Sequence, residues 1–120
     1  MGSSSNHLTG RAFITAGGKR LASKPGAKMN MGNLERKGEA GDAGVLGYTE
    51  AVTIPFVECT IAHSAQTSLQ DYANMVDATV SFDTDTGKSY VFRNAWQASV
   101  IELAGKDVAL RFESKSCEEV

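Results

Sequence analysis

Cys59 and His63 are the pair whose types most directly suggest chemistry, because a thiol beside an imidazole is a nucleophile with its base. Both fall in an alternating stretch, and four residues of extended chain span about 13 Å at roughly 3.3 Å per residue. That is far beyond hydrogen-bond reach, so Cys59 reads instead as a small buried hydrophobe. Asp83-Thr84-Asp85-Thr86-Gly87 faintly resembles a calcium loop. Its glycine comes one place early, no bidentate glutamate closes it, and its flanks read as strands rather than helices. A hairpin turn with Asp and Gly in their preferred places fits it better. Gly17-Gly18-Lys19 lacks the spacing of a phosphate-binding loop. Trp96 has nothing beside it to form a stacking platform, and His7 lies in a polar arm. No catalytic residue, cofactor site or metal ligand is assigned, and the expectation is a protein that is not an enzyme.

The elements that would position these residues are mostly strands. Arg11 to Ala16 is short and apolar-rich, and Gly17-Gly18 predicts a hairpin back along Lys19 to Ser23. Ala27 to Met31 alternates. Val52 to His63 is the longest strand candidate, with Val57, Cys59 and Ile61 on one face and Pro55 arguing for a bulge, an edge or a late start. Leu69, Tyr72, Ala73 and Val76 then change the period to that of one short helix, with Thr67 and Gln70 as a capping box. Ala78 to Asp83, Tyr90 to Phe92, Trp96 to Leu103 and Val108 to Ser116 return to strand, with turns at Thr84–Gly87 and Gly105-Lys106. About seven or eight short strands with one flanking helix predict a mainly β sandwich or barrel.

Gly32 to Glu50 breaks the pattern. Five glycines with charges at Glu35, Arg36, Lys37, Glu39 and Asp42 make regular structure costly in backbone entropy. A long loop without regular structure, mobile in the free chain, is the expectation. Its second half carries Val45, Leu46 and Tyr48, which a solvated linker does not need, so the segment reads as bound by something.

Composition bounds the rest. At 120 residues the chain suits one domain with a core of its own, and 42% hydrophobic with 22% charged residues is ordinary for a globular fold. Residues 1–7 read as a flexible arm, native or in part a tag, without the apolar stretch of a signal peptide, leaving 8–120 as the domain. No apolar run is long enough to span a bilayer. A formal charge of −2 without a basic block argues against an electrostatic grip on nucleic acid. Two cysteines, Cys59 and Cys117, are too few for a disulfide scaffold or zinc site, and a reduced intracellular setting is the simplest expectation.

Several stretches together resemble a known family. Leu8-Thr9-Gly10-Arg11-Ala12-Phe13-Ile14, leading into Gly18-Lys19-Arg20-Leu21 and Pro25-Gly26-Ala27-Lys28, is similar to the start of Mu-like phage tail tube proteins. Gly41-Asp42-Ala43-Gly44-Val45-Leu46-Gly47-Tyr48-Thr49-Glu50 strengthens the match, as do Val57-Glu58-Cys59-Thr60-Ile61-Ala62, Thr84-Asp85-Thr86-Gly87-Lys88 and Asn94-Ala95-Trp96. The resemblance runs from Leu8 to Val120.

It implies a β-sandwich or barrel with one helix, assembled as hexameric rings stacked into the hollow tube of a contractile tail. The implied partners are further copies of the chain, a tail sheath protein, a tape-measure protein, a baseplate initiator and a tail terminator. DNA would pass through without specific binding, and neither cofactor nor membrane is implied. The place would be the virion tail, with assembly in the host cytoplasm. Val45, Leu46 and Tyr48 would anchor the 32–50 loop on a neighbouring subunit or ring, with Glu35, Arg36, Lys37, Glu39 and Asp42 setting register at the rim. Acidic side chains lining the lumen would let phosphates slide past, and Glu58, Asp83, Glu102 and Glu113 are the candidates. Each is equally a solvent-facing residue of the outer sheet, while Arg93 and Arg111 are candidates for ion pairs across a subunit interface. Two other readings stay open. One is the tube of an R-type bacteriocin or type VI-like secretion apparatus; the other is a monomeric β-barrel that binds a small ligand.

Overall fold

In β1 (Ala12–Ala16) Ile14 and Ala16 are buried while Phe13 and Thr15 face outward, as the period-2 pattern requires. The structure is a computed structural model that describes residues 6–120, so of the expected N-terminal arm only Asn6 and His7 fall within it. Gly17-Gly18 turns β1 into β2 (Lys19–Arg20). The return strand expected to reach Ser23 stops at Arg20. Leu21 dives into the core, and Ser23 bridges to Ile61 in the opposite layer.

The chain then forms β3 (Lys28–Asn30), β4 (Glu35–Gly41), β5 (Gly44–Ala51) and β6 (Phe56–Ala62), followed by helix α1 (Leu69–Ala73). Five more strands follow: β7 (Ala78–Thr84), β8 (Ser89–Gln97), β9 (Leu103–Ala104), β10 (Asp107–Glu113) and β11 (Cys117–Glu119). A mainly β chain with one short helix is the fold class expected, although its strands are more and shorter.

Most of these strands form one curled sheet in the order β2-β1-β7-β8-β10-β6-β3, with β11 on β8 and β9 on β10. It folds into two layers because β8 belongs to both. Ser89 to Phe92, and Ala95 beyond them, pair with β7, Tyr90 to Phe92 also pair with β11, and the end of the strand, Trp96 and Gln97, pairs with Glu113 and Phe112 of β10. Asn94 marks the crossing with φ of +52°, a conformation Asn tolerates better than most side chains. The register against β7 slips beside it, a bulge that turns the strand. Ile14, Val80, Phe82 and Phe92 from one layer meet Val57, Ile61, Leu110 and Phe112 from the other in a single core.

Other expectations change as well. The strand expected over Trp96–Leu103 is divided, because Trp96 and Gln97 are used in the crossing and 98–102 leaves the ladder before β9. The last strand ends at Glu113 rather than Ser116. Ser114 is buried at the corner, and the chain turns there into β11. The helix cap is Ser68, whose hydroxyl accepts the Asp71 N–H at 3.3 Å, while Thr67 instead accepts the N–H of Ser64 at 3.1 Å. Leu69 and Tyr72 pack on the core, but Val76 lies beyond the helix and is exposed.

The largest change is the 32–50 segment. Expected without regular structure, it is the β4–β5 hairpin. Cross-strand pairing from Glu35–Ala51 to Gly41–Gly44 holds it, and Gly44 and Gly47 take φ of +140° and +151°, where a side chain would be strained. Glycine costs entropy here but also permits the backbone path.

Candidate assembly surface

Every residue of β4 and β5 is exposed, so this hairpin stands away from the sandwich and stretches the molecule to 63 Å in its longest dimension. Its register sorts side chains onto two faces. Arg36 opposite Glu50 and Gly38 opposite Tyr48 share one; Glu35, Lys37 and Glu39, opposite Ala51, Thr49 and Gly47, share the other. On the first face Arg36 Nε donates to Glu50 at 3.2 Å, and its guanidinium lies 5.9 Å from the centre of the Tyr48 ring. A bulge beside Ala40 leaves Leu46 as the extra residue, and its side chain lies over Gly41, where an added Cβ would come within 3.3 Å of it.

The result is an arm that exposes its large apolar groups. Val45 is 82% exposed, Leu46 78% and Tyr48 63%. Burying such a side chain is worth roughly 1.5–3 kcal/mol, so three held in water on one projecting element form a surface suited to association. Charge is also unevenly placed. The basal half carries Arg36 and Lys37 beside Glu35 and Glu50, whereas the distal stretch 39–47 carries Glu39 and Asp42 with no basic residue.

The base is rigidly clamped. Gly32 has φ of +74°, and a Cβ built on it would sit 2.3 Å from Cγ of Pro55. Asn30 Oδ1 accepts the Gly32 N–H at 2.7 Å, and the Thr53 hydroxyl donates to the Asn33 carbonyl at 2.6 Å. The segment leaving the sandwich towards β4 therefore touches the segment returning from β5, and Pro55 lies in that return, before β6.

The structure thus gathers Glu35, Arg36, Lys37, Glu39, Asp42, Val45, Leu46 and Tyr48 on one element. Sequence reasoning missed Glu50, the partner of Arg36. The signal was the opposite charge of Arg36 and Glu50 on the two sides of the Asp42-Ala43 turn, offset by the one residue of the bulge at Leu46.

The four acids do not share a face. Glu58 and Glu113 lie on the outer side of the β6–β10 layer, joined through Arg111, which reaches Glu58 at 3.2 Å and Glu113 at 2.9 Å. Lys28 adds a contact to Glu58 at 3.3 Å, and the Arg111 guanidinium stacks 3.9 Å from the centre of the Phe56 ring. The hydrogen bond to Glu113, against partial desolvation, is the main reason Arg111 is held above its usual value. Asp83 lies in β7, in the other layer, opposite Phe13 and Ser89. Glu102 is no alternating strand residue, because it falls in the 98–102 connection. Arg93 pairs with Glu118 at 2.7 Å, so both arginines considered for intersubunit pairs are engaged within their own chain.

The chemically suggestive residues have structural duties. Cys59 faces the core, and burial pushes its thiol up to about 11. Asp85 latches the N-terminal segment, accepting the Gly10 N–H at 3.2 Å with Arg11 at 3.7 Å and His7 at 3.9 Å. Partial desolvation pushes its carboxyl up, but the Gly10 and Arg11 amides and the nearby positive charges outweigh it and hold the group below its usual value. Thr86 and Thr9 share a hydrogen bond at 2.7 Å beside it.

Comparison with known proteins sets this geometry in context. The family described as phage tail tube protein matches residues 5–119. The Mu-like prophage FluMu tail tube protein of Haemophilus influenzae is 33% identical over 113 residues, covering 92% of this chain and 94% of that protein. The tail tube protein of Escherichia phage Mu is 29% identical over 115 residues, covering 96% and 97%. Among solved structures, the sheath/tube terminator of an extracellular contractile injection system, PVC, superimposes with a TM-score of 0.66 at 8% identity over 92% of this chain and 93% of that one. The tube-terminating cap of the anti-feeding prophage gives 0.64 at 10% identity over 100% and 94%.

Proposed function

The chain belongs to the phage tail tube protein family, and from that premise we propose that it is the major tube subunit of a contractile tail. Subunits close into hexameric rings, rings stack into a hollow tube, and the tube conducts DNA during ejection. The protein acts by assembling and not by catalysis. A sheath surrounds the tube, a terminator caps it, a tape-measure protein fills it during assembly and a baseplate starts it. Building takes place in the host cytoplasm, and the product resides in the virion tail.

The observation that carries this reading is the projecting hairpin with Val45, Leu46 and Tyr48 in water. A subunit that must grip its neighbours needs such an arm, whereas a monomeric ligand-binding barrel does not, and aromatic and branched side chains such as Phe92, Phe112, Leu110 and Ile61 form the core between the layers. The likeness to contractile injection system tube components favours a second reading, a tube without a phage head. Both readings share the hairpin's role.

The separation of the acids constrains the lumen. One layer would present Glu58 and Glu113, already balanced by Arg111 and Lys28; the other would present Asp83. A lumen formed by one layer takes one set and not the other.

The test is electron microscopy of concentrated protein. Changing Val45, Leu46 and Tyr48 together to serine should preserve the monomer's circular dichroism and melting, because none of the three is buried, while abolishing tubes. Tubes of normal length from that variant would remove the hairpin from the mechanism.

A further inference from the structure

The curled sheet does not close. Its edge strands are β2 and β3, but β2 covers only Thr15 and Ala16 of β1, and between the uncovered start of β1 and the chain approaching β3 lies a cleft of about 470 Å³. That volume is within the roughly 300–1,000 Å³ of preformed binding sites. Leu21, Phe82, Ala12 and Phe13 supply apolar lining, and Arg11 and Lys24 are the charged lining residues, with no acid among the lining. Arg20 extends the basic rim, since its guanidinium and that of Arg11 both lie over the Phe13 ring, at 4.7 and 5.8 Å. Two carboxylates, Asp85 and Asp107, reach these three cations from outside the cleft, at Arg11 and Lys24.

The backbone at the cleft is that of an open edge. The Arg11 carbonyl accepts from Asp85 on the β7 side at 3.1 Å, and the Ile14 carbonyl accepts from Leu21 on the other side at 2.8 Å. Odd and even residues of β1 therefore address opposite neighbours. β2 ends at Arg20, so among the described residues no strand lies opposite Ala12 on the cleft side. Such an edge is a template for an added strand.

We infer that this cleft receives the tip of the hairpin, Gly41–Gly47, from a second copy of the chain; the inference rests on the reading of the hairpin as the assembly arm. The tip has what the cleft lacks. It offers exposed Val45 and Leu46 for the apolar walls, Asp42 and nearby Glu39 for the basic rim, and the outer edge of the bulged strand β5 for the free edge. The cleft lies before β3 and the hairpin after it, every hairpin residue is exposed, and no hairpin residue lines the cleft, so the two surfaces do not meet within one chain. Complementary surfaces at separate places on one molecule make a head-to-tail contact, which closes into rings or continues as a filament. Both outcomes belong to a tube.

Disulfide trapping tests the contact. Ala22, exposed on the cleft wall, and Ala43, at the hairpin turn, are replaced singly as A22C and A43C and together in one chain. Under tube-forming conditions with mild oxidant, the mixed single variants should yield a linked A22C–A43C dimer, and the double variant a ladder of linked multimers. Native Cys59 and Cys117, with thiols raised by burial, serve as the background in the unsubstituted chain. Tubes that form without these linked species overturn the inference. A charge exchange gives a second reading: D42K and R20E alone should each raise the concentration needed for tubes about tenfold or more, and D42K with R20E should restore it toward the original. D42K assembling as the unsubstituted chain does, or no rescue in the pair, also overturns it. Deleting Lys37 to Gly47 separates the two ideas. If deletion leaves tubes intact, the hairpin reading itself fails; if deletion abolishes tubes while trapping and rescue stay blank, only the cleft is wrong.

Discussion

The buried hydroxyl of Ser114 donates to the main-chain carbonyl of Arg93 at 2.7 Å, pinning the corner where β8 passes from one layer to the other. Arg93 immediately precedes Asn94, the residue with positive φ at that crossing. The same oxygen accepts the N–H of Ser116 at 3.3 Å, and the Ser114 N–H donates to the Pro55 carbonyl at 3.1 Å. One small polar residue thus ties the crossing, the start of β11 and the segment between β5 and β6 together.

Replacing Ser114 with alanine leaves the Arg93 carbonyl short of a donor in a dry site. A buried polar group left unpaired costs about 1–3 kcal/mol, and the variant should lose stability by that amount in urea with an unchanged slope. Wild-type stability in S114A would mean that the crossing is held by packing alone.

Arg111 should couple to Glu113 by about 0.5–1 kcal/mol, a modest value because both side chains retain solvent contact. A double-mutant cycle with R111M and E113Q measures it, and the coupling should fall as salt is raised. Additive losses would show that stacking on Phe56, and not the ion pair, fixes the guanidinium.

The legible parts of the fold were those with one wet face and one dry face. Val57-Cys59-Ile61, Val80-Phe82 and Val108-Leu110-Phe112 alternate because the sandwich buries every second residue, and all of them are core residues. The hairpin failed that test for a physical reason. Both its faces are exposed, so no alternation records its register, which depends instead on pairs such as Arg36–Glu50. β11 escaped notice because three residues carry little pattern and its place is set by β8 and the Ser114 corner. The site was half legible: the exposed apolar residues stood out, but acidity alone could not tell the layer of Glu58 from that of Asp83. The cleft could not be read at all, since it joins chain edges that no local pattern connects.

Gly32 is a sharp test of the arm's orientation. Alanine there would have to adopt φ of +74° with its Cβ 2.3 Å from Cγ of Pro55, so the base must move. G32A should cost about 1–3 kcal/mol and reduce tube formation. Gly38, mid-hairpin, supplies the control, because a Cβ there meets nothing within 4 Å. G38A should assemble normally, and equal behaviour of the two variants would refute a role for the clamp at Pro55.

Alkaline pH should weaken the fold through Cys59. Its thiol is raised from 9.0 to about 11 by burial, so the folded state holds the proton after the unfolded chain has released it. The sign follows from proton counting: the contribution is fully present below pH 9 and declines as pH rises towards 11. Across that interval the loss should approach about 2–3 kcal/mol, at roughly 1.4 kcal/mol for each unit of pH once the unfolded thiol is ionised. C59A should start less stable, by the cavity it leaves, yet show a shallower decline between pH 9 and 11. Tyr72, also raised, chiefly by burial and next by the charge of Cys59, titrates in both proteins, so the difference between their urea curves reports the thiol together with its coupling to Tyr72. Parallel curves would show that Cys59 ionises in the folded protein as freely as in the unfolded chain. A thiol reagent at pH 8 offers an independent check, since modification of Cys59 in the native protein should be limited by unfolding.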